Sequence, residues 1–379
     1  MSDEPMSPQS VPRVLATFLE AVRIDSPSGE EAAFGAWCAD RLRALGCSVR
    51  FDETGPLCGS DSGNLIAEFP GSADGMVIVL SAHLDTVQPG CGIVPVVAGG
   101  FVRSAGDTVL GSDDKAGVAA ILEALARVHE GGLVTPPVRV LLTTGEERGL
   151  QGAKVLARED CAGDLCVVLD AHGEVGGIVG GAPTQYTFKA EFHGLAAHAG
   201  VEPEKGRSAL VMAARAVDGM RLGRLDASTT ANVGFISGGG PTNVVTASCA
   251  MSGECRSIDP DTAETVRDEM SEAMRAAARD GGGDVDITWT LEYEGFRFPQ
   301  DHPAMRLLFD ACADAGLAPD VFDTGGGSDA NILHAKGLPS VVLSCGMTDV
   351  HSTSESIAVA DLVAMSDLVV AILRRAVSA

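Results

Sequence analysis

Glu146 and Glu147 stand side by side in Thr143-Thr144-Gly145-Glu146-Glu147-Arg148-Gly149-Leu150-Gln151-Gly152, directly after the apolar run Val138-Arg139-Val140-Leu141-Leu142. That run reads as a buried strand, so two carboxylates sit where a strand gives way to a loop. Most Glu-Glu pairs are solvated surface. At a strand end such a pair can instead divide labour: one carboxylate binds a metal ion and its neighbour moves protons for water at that ion. The pair alone does not choose between these readings, so the rest of the chain has to.

Three other short apolar runs also end in polar clusters. Met76–Leu80 leads into Ser81-Ala82-His83-Leu84-Asp85-Thr86-Val87, Leu165–Leu169 ends at Asp170, and Ser340–Ser344 precedes the loop that holds His351. In an open sheet with helices on both faces, ligands bind outside the carboxyl ends of the strands. Residues far apart in sequence would meet there. Asp113, in Leu110-Gly111-Ser112-Asp113-Asp114-Lys115-Ala116-Gly117, opens a helix near the same edge if the connections are right-handed.

His83, Asp113, Glu147, Asp170 and His351 supply two imidazoles and three carboxylates, without a thiolate. Mixed nitrogen and oxygen donors suit zinc, or Mn or Co. Five ligands exceed one open tetrahedral site. They fit two ions, about 3.5–4 Å apart, if one carboxylate bridges. Asp85, two residues past His83, is placed to hold the other ring nitrogen. Ordinary alternatives remain for each: Asp113-Asp114 as a helix cap, Asp170 as a loop acid with Glu174 as a rival ligand, and a lone histidine as solvated surface, which is the reading for His129.

Around these motifs the elements are read coarsely. Helices are expected at Val11–Ile24, from a Ser28 cap to Leu45, from Ser112 to Val128, at Gly152–Arg158, Ser208–Met220, Asp261–Arg279, Pro303–Ala315 and Ile357–Ala376. Asn64–Phe69 reads as a strand and Gly92–Val109 as a hairpin. Near Pro183 the texture changes: Thr184–Phe192 alternates with period two, and Asn232–Ile236, Asn243–Glu254 and Asp284–Tyr293 read as further strands. This predicts an antiparallel α+β unit inserted in a larger α/β fold.

Composition excludes several function classes. A net charge of −25 over 379 residues argues against nucleic acid and anionic membranes as partners. No apolar run is long enough to span a bilayer. Met1-Ser2-Asp3-Glu4-Pro5 lacks a basic and an apolar signal region, so no secretory signal is expected. The ten cysteines include no C-x-x-C pair and sit mostly in apolar runs, as Cys166 and Cys345 do. They read as reduced core residues of a cytoplasmic protein.

Taken together, these motifs resemble the M20 family of co-catalytic zinc peptidases over nearly the whole chain. His83-Leu84-Asp85-Thr86-Val87, Gly111–Gly117, Thr144-Gly145-Glu146-Glu147 and His351-Ser352-Thr353-Ser354-Glu355 occur in the family's order. The Asp-Asp-Lys-Ala-Gly run, Gly325-Gly326-Gly327-Ser328-Asp329-Ala330-Asn331 and an Asp as third ligand are similar to the peptidase T-like branch. In the family, Asp at that position goes with aminopeptidases and Glu with carboxypeptidases and deacylases.

The resemblance implies two Zn2+ per chain (Mn2+ or Co2+ as alternatives). Asp113 bridges them, with a cis peptide bond to Asp114. His83 and Asp170 hold one ion; Glu147 and His351 hold the other. Glu146 is the general base, taking a proton from the bridging water and delivering it to the leaving amine, and Asp85 supports His83. His198, in Gly194-Leu195-Ala196-Ala197-His198-Ala199-Gly200, matches a lid histidine that reaches the active site of the second subunit. Arg256 matches a lid arginine for substrate carboxylate or backbone, with Asn243, Gly326 and Ser328 as further substrate contacts. His193 reads as ordinary surface. Leu195, where a polar residue is expected, and His334 depart from the pattern and leave substrate choice open.

The expectation is therefore an α/β protein. It has an open sheet with helices on both faces, residues 1–182 and 294–379 as a discontinuous catalytic domain, and residues 183–293 as an inserted lid/dimerisation domain. It would hydrolyse short peptides, as an aminopeptidase or tripeptidase, and form a homodimer through the lid, with neither nucleic acid nor membrane as partner. The alternatives are an M20-type N-acyl amino acid amidohydrolase or carboxypeptidase, and a non-catalytic metal-binding peptide receptor, which could dispense with Glu146.

Overall fold

The computed structural model describes residues 11–378; Met1–Pro5, read above for a signal, lie outside them. Two compact units divide the chain. The first holds residues up to Gly180, Phe298–Phe322 and Ser328 onward; the second holds Gly181–Arg297 and Asp323–Gly327.

The first unit is built on a mixed sheet. Its strands run in the order Ser48–Phe51, Leu65–Phe69, Val138–Thr143, Ile78–His83, Leu165–Ala171, Ser340–Ser344 and Gly177–Ala182. The middle four are parallel: Ile78–His83 pairs with both Val138–Thr143 and Leu165–Ala171, and Leu165–Ala171 pairs with Ser340–Ser344. The outer strands join antiparallel. Ile78–His83 is buried along its whole length, as expected of a parallel strand covered on both faces. Helix Ser112–Gly131 packs on Ile78–His83 and Leu165–Ala171 beside helices Arg13–Ala21 and Val359–Arg375, and helix Asp329–Ala335 packs on Leu165–Ala171 and Ser340–Ser344. Gly117 permits a close approach of helix to strand, because a Cβ there would lie 2.5 Å from the Leu169 carbonyl oxygen.

The second unit is an antiparallel five-stranded sheet in the order Gly223–Arg224, Thr229–Gly238, Ser248–Ser257, Thr184–His193, Asp284–Tyr293. Helices Ala209–Gly219 and Pro260–Asp280 cover one face. The alternation of Thr184–His193 sends Tyr186, Phe188, Ala190 and Phe192 into a core with Met212, Met251, Met270 and Met274.

Several elements differ from the sequence reading. Ser28 does not cap the second helix, which spans Ala32–Ala44 without a side-chain cap; its hydroxyl donates to Asp85 instead. The strand expected from Asn243 begins at Ser248, because residues 241–244 form a turn closed by Val244 N–H on the Pro241 carbonyl. The helix at Gly152–Arg158 is Gln151–Val155 followed by a 3-10 turn at Arg158–Cys161. Strand Ser48–Phe51, the one-turn helix Gly55–Cys58 and helix Asp329–Ala335 were not anticipated. Among the described residues, no helix is long and apolar enough to cross a membrane.

Candidate metal centre

Parallel strands bring their carboxyl ends to one edge, and the polar clusters follow from that. His83 closes its strand opposite Thr143 in register, and Asp170 is the penultimate residue of Leu165–Ala171. Gly145, at φ 64°, adopts a left-handed conformation that turns the chain straight from Thr144 into the Glu pair. Asp113 comes from the first turn of helix Ser112–Gly131, joined to Asp114 by a cis peptide bond. His351 lies in the loop after Ser340–Ser344, at φ 61°. A left-handed residue with a Cβ costs about 1–2 kcal/mol, and the contacts of its ring offset that here.

Those contacts define the cluster. His83 Nε2 lies 3.0 Å from Asp113 Oδ1 and 3.6 Å from Asp170 Oδ1. His351 Nε2 lies 3.2 Å from Asp113 Oδ2 and 2.9 Å from Glu147 Oε1. The two oxygens of one carboxylate thus face two different imidazoles. Three sets of possible ligand atoms lie within 4.8 Å of one another: His83, Asp113 and Asp170; Asp113, Glu147 and His351; and His83, Glu146 and Glu147. Glu174, the rival to Asp170, is exposed and in none of them.

The cluster is braced from behind. His83 Nδ1 donates to the Asp85 carbonyl oxygen at 2.9 Å, which aims Nε2 at the carboxylates. Asp85 itself is buried. Its Oδ1 accepts from Glu146 N–H at 2.9 Å, and its Oδ2 from Glu147 N–H at 3.2 Å and from Ser28 at 2.7 Å. One residue therefore fixes both: the Asp85 carbonyl holds the imidazole, and its side chain holds the loop of the Glu pair. Further supports went unrecognised in the sequence. Glu31 accepts from Gly145 N–H and from the Ser60 hydroxyl, Asn64 accepts from Thr144 N–H, and Asp329 accepts from the Thr143 hydroxyl.

Glu355 is the most consequential of these. Its carboxylate accepts from Leu110 N–H at 2.7 Å, Gly111 N–H at 2.8 Å, Asp113 N–H at 3.1 Å and the Ser112 hydroxyl. Glu355 closes the His351–Glu355 motif quoted above, but the sequence alone assigns it no role. Glu355→Ala is expected to destabilise the metal-free chain by about 3 kcal/mol or more, since each stranded buried donor costs about 1–3 kcal/mol. Glu355→Gln, which keeps an acceptor oxygen, is expected to lose less. Urea unfolding measures both; equal midpoints for the two variants would contradict the assignment.

The donor set fits cations. It offers two ring nitrogens and carboxylate oxygens, with the second nitrogen of His83 tied off. Its electrostatics point the same way. Burial, and then the Asp113 and Glu147 charges, push the Asp170 carboxyl up to about 7. Burial followed by the Asp170 charge raises Glu146 well above the usual range. Hydrogen bonds that His351 donates to Asp113 and Glu147 push it up to about 10. Burial alone would lower His83, yet Asp113, Asp170 and Asp85 raise it well above its ordinary value. The Asp113 carboxyl, facing both imidazoles, is by contrast held well below the usual carboxylate range. Histidines raised by the carboxylates around them mark negative charge that positive ions would neutralise.

The remaining singled-out residues are placed as follows. In the second unit, His198 is exposed, and its Nδ1 accepts from Gly200 N–H at 3.2 Å. The Asn243 carbonyl accepts from Ala199 N–H at 2.8 Å, so these two loops meet. Gly326 N–H donates to the Thr324 hydroxyl at 3.1 Å. Arg256 is paired with Glu254 at 3.0 Å. In the first unit, Ser328 caps helix Asp329–Ala335 within a capping box with Asn331. Of the two departures, Leu195 is exposed, whereas His334 packs edge-on against Phe298. His193 makes a surface pair with Asp286.

Comparison with known proteins adds to this geometry. The sequence profile of peptidase family M20/M25/M40 matches residues 79–375. An uncharacterised Bacillus subtilis protein, YqjE, is 38% identical over 364 residues, which cover 96% of this chain and 98% of that protein. The crystal structure of aminopeptidase PepT from Bacillus cereus is similar at a TM-score of 0.93 and 38% identity, covering 96% of this chain and 98% of the other. A tripeptidase from Staphylococcus aureus is similar at 0.92 and 35% identity, covering 96% and 97%.

Proposed function

The chain belongs to peptidase family M20/M25/M40 and is a metallopeptidase, and from that premise we propose that it is a dinuclear aminopeptidase or tripeptidase that removes the N-terminal residue from short peptides. The observation that carries the dinuclear reading is the Asp113 carboxylate, whose Oδ1 faces His83 and whose Oδ2 faces His351. The aminopeptidase direction rests on Asp170 as third ligand and on similarity to an aminopeptidase and a tripeptidase.

In this reading His83 and Asp170 would hold one ion, Glu147 and His351 the other, and Asp113 would serve both. Zinc is the first choice, with Mn or Co as alternatives. Ions bound there would supply Lewis acidity, for the scissile carbonyl, for water and for developing negative charge. The chain's own residues do the rest. Glu146, raised by burial, holds a proton taken from water and passes it to the leaving amine. Asp85 keeps the Glu146 carboxylate in place through its backbone N–H and keeps the His83 ring in one orientation.

The inserted segment, read as residues 183–293, would act as lid and dimerisation domain on a catalytic domain of residues 1–182 and 294–379. The division into two compact units supports that reading. His198, with Nδ1 engaged, presents Nε2 as a donor that would meet an oxyanion in the partner subunit's site. Arg256, Asn243, Gly326 and Ser328 would contact substrate. A cytoplasmic location is supported by the cysteines, all free and nine of ten buried among the described residues.

The test is metal content of the purified protein together with hydrolysis of tripeptides, N-blocked tripeptides and N-acyl amino acids, before and after chelation. Two ions per chain with chelator-sensitive release of N-terminal residues is the expected result. Cleavage of N-acyl substrates alone would move the enzyme to the amidohydrolase class. Cleavage of N-blocked tripeptides would argue for a carboxypeptidase. Absence of any bound or restorable metal would overturn the assignment.

A further inference from the structure

Arg256 lies on strand Ser248–Ser257, and its guanidinium is already occupied. Nε donates to Glu254 Oε1 at 3.1 Å and Nη2 to Glu254 Oε2 at 3.0 Å, a bidentate pair. Nη1 donates to the Gly325 carbonyl at 3.1 Å and to the Tyr293 hydroxyl oxygen at 3.4 Å. Glu254 precedes Arg256 by two residues, so the pleat puts both on one face of the sheet. Gln185, the register partner of Arg256, adds its own N–H to Glu254 Oε2.

Counting donors decides what this arrangement can do. A guanidinium carries five N–H groups, and two parallel ones from a single fork are needed for a bidentate carboxylate. Nε and Nη2 form one fork, which Glu254 fills. Nη1 and Nη2 form the other, and both Nη1 hydrogens are engaged. A single Nη2 hydrogen is left over, which is no fork. Nevertheless the pair is within reach of a ligand: the side chains of Arg256 and Glu254 are 27% and 30% exposed.

We infer that Glu254 determines specificity, as an internal carboxylate that fills the Arg256 fork and that a peptide's terminal carboxylate must displace. The inference rests on the proposed reading that Arg256 faces the peptide. Its consequence is that the wild-type enzyme gains little from a free C-terminal carboxylate. C-terminal amides of short peptides are then handled about as well as the free acids. Removing Glu254 turns Arg256 into a carboxylate receptor.

The experiment compares trialanine with trialanine amide as substrates of the metal-loaded enzyme. It also compares binding of dialanine and its amide by calorimetry, for wild type, Glu254→Ala and Glu254→Gln. In wild type, acid and amide are expected to give similar KM values. In the variants, KM for the acid is expected to fall by roughly 10–100-fold, the worth of one charge-assisted pair, with the amide unchanged. Glu254→Gln keeps the side-chain volume and covers the case in which Glu254→Ala does not fold. An acid-to-amide ratio that stays constant in folded variants overturns the inference. Weaker acid binding also overturns it, since that marks Glu254 as a buttress that aims Arg256 at its ligand. If wild type cleaves no tripeptide, the aminopeptidase reading fails, and the calorimetric ratio still reports on the fork.

Discussion

Replacing Glu146 with Gln is expected to lower kcat by about 10²–10⁴-fold, the usual worth of a positioned general base, while the protein keeps its ions. Gln has the same shape and retains the backbone N–H that Asp85 Oδ1 accepts at 2.9 Å, so the loop keeps its form. What is lost is a carboxylate able to take a proton. Glu147, the neighbour with the short contact to His351, is untouched. Metal content and kcat must therefore be measured on the same preparation. Reduced turnover with full metal assigns Glu146 to proton transfer. Loss of an ion would assign it to ligation instead, as its place in one possible ligand set with His83 and Glu147 allows. Turnover at the wild-type rate would remove it from the mechanism and revive the reading of a site that binds without catalysing.

The chemistry-bearing residues were legible because they sit next to strong signals. A short apolar run that stops at a His or Asp marks a strand end, and parallel strands share one edge. His83, Glu146, Glu147 and Asp170 could be grouped on that ground. The residues behind them were not legible. Glu355, Glu31 and Asp329 are charged side chains buried only because backbone and hydroxyl donors point at them, and nothing local in a sequence reports a donor hundreds of residues away. Ser28 has the composition of a helix cap, but a buried Asp85 competes for its hydroxyl and wins. Helix Asp329–Ala335 has seven residues, too few to show a helical period. By contrast the Glu254–Arg256 pair was within reach of the sequence, because two residues apart on an alternating strand means one face.

Asp113→Ala is expected to remove both ions, where loss of either histidine removes one. The prediction follows from a single carboxylate whose two oxygens face different imidazoles, at 3.0 Å and 3.2 Å. Shared ligation means that one truncation weakens two sites at once. Each ion should lose well over about 100-fold in affinity, because even residues that merely support a ligand are worth about 10–100-fold. The fold should survive, since Glu355 holds the Asp113 backbone N–H and not its side chain. The remaining brace, Asp85 on the Glu146 and Glu147 amides, is also independent of it. His351→Ala is the control: its ring is half exposed and its Nε2 faces Asp113 and Glu147, so one ion, with His83 and Asp170, should remain. Metal stoichiometry after dialysis separates the cases. Below one ion per chain in Asp113→Ala and near one in His351→Ala fixes Asp113 as the bridge. Two ions retained in Asp113→Ala would mean that Glu146 or a solvent ligand closes both sites, and that the facing of the two carboxylate oxygens is packing and not ligation.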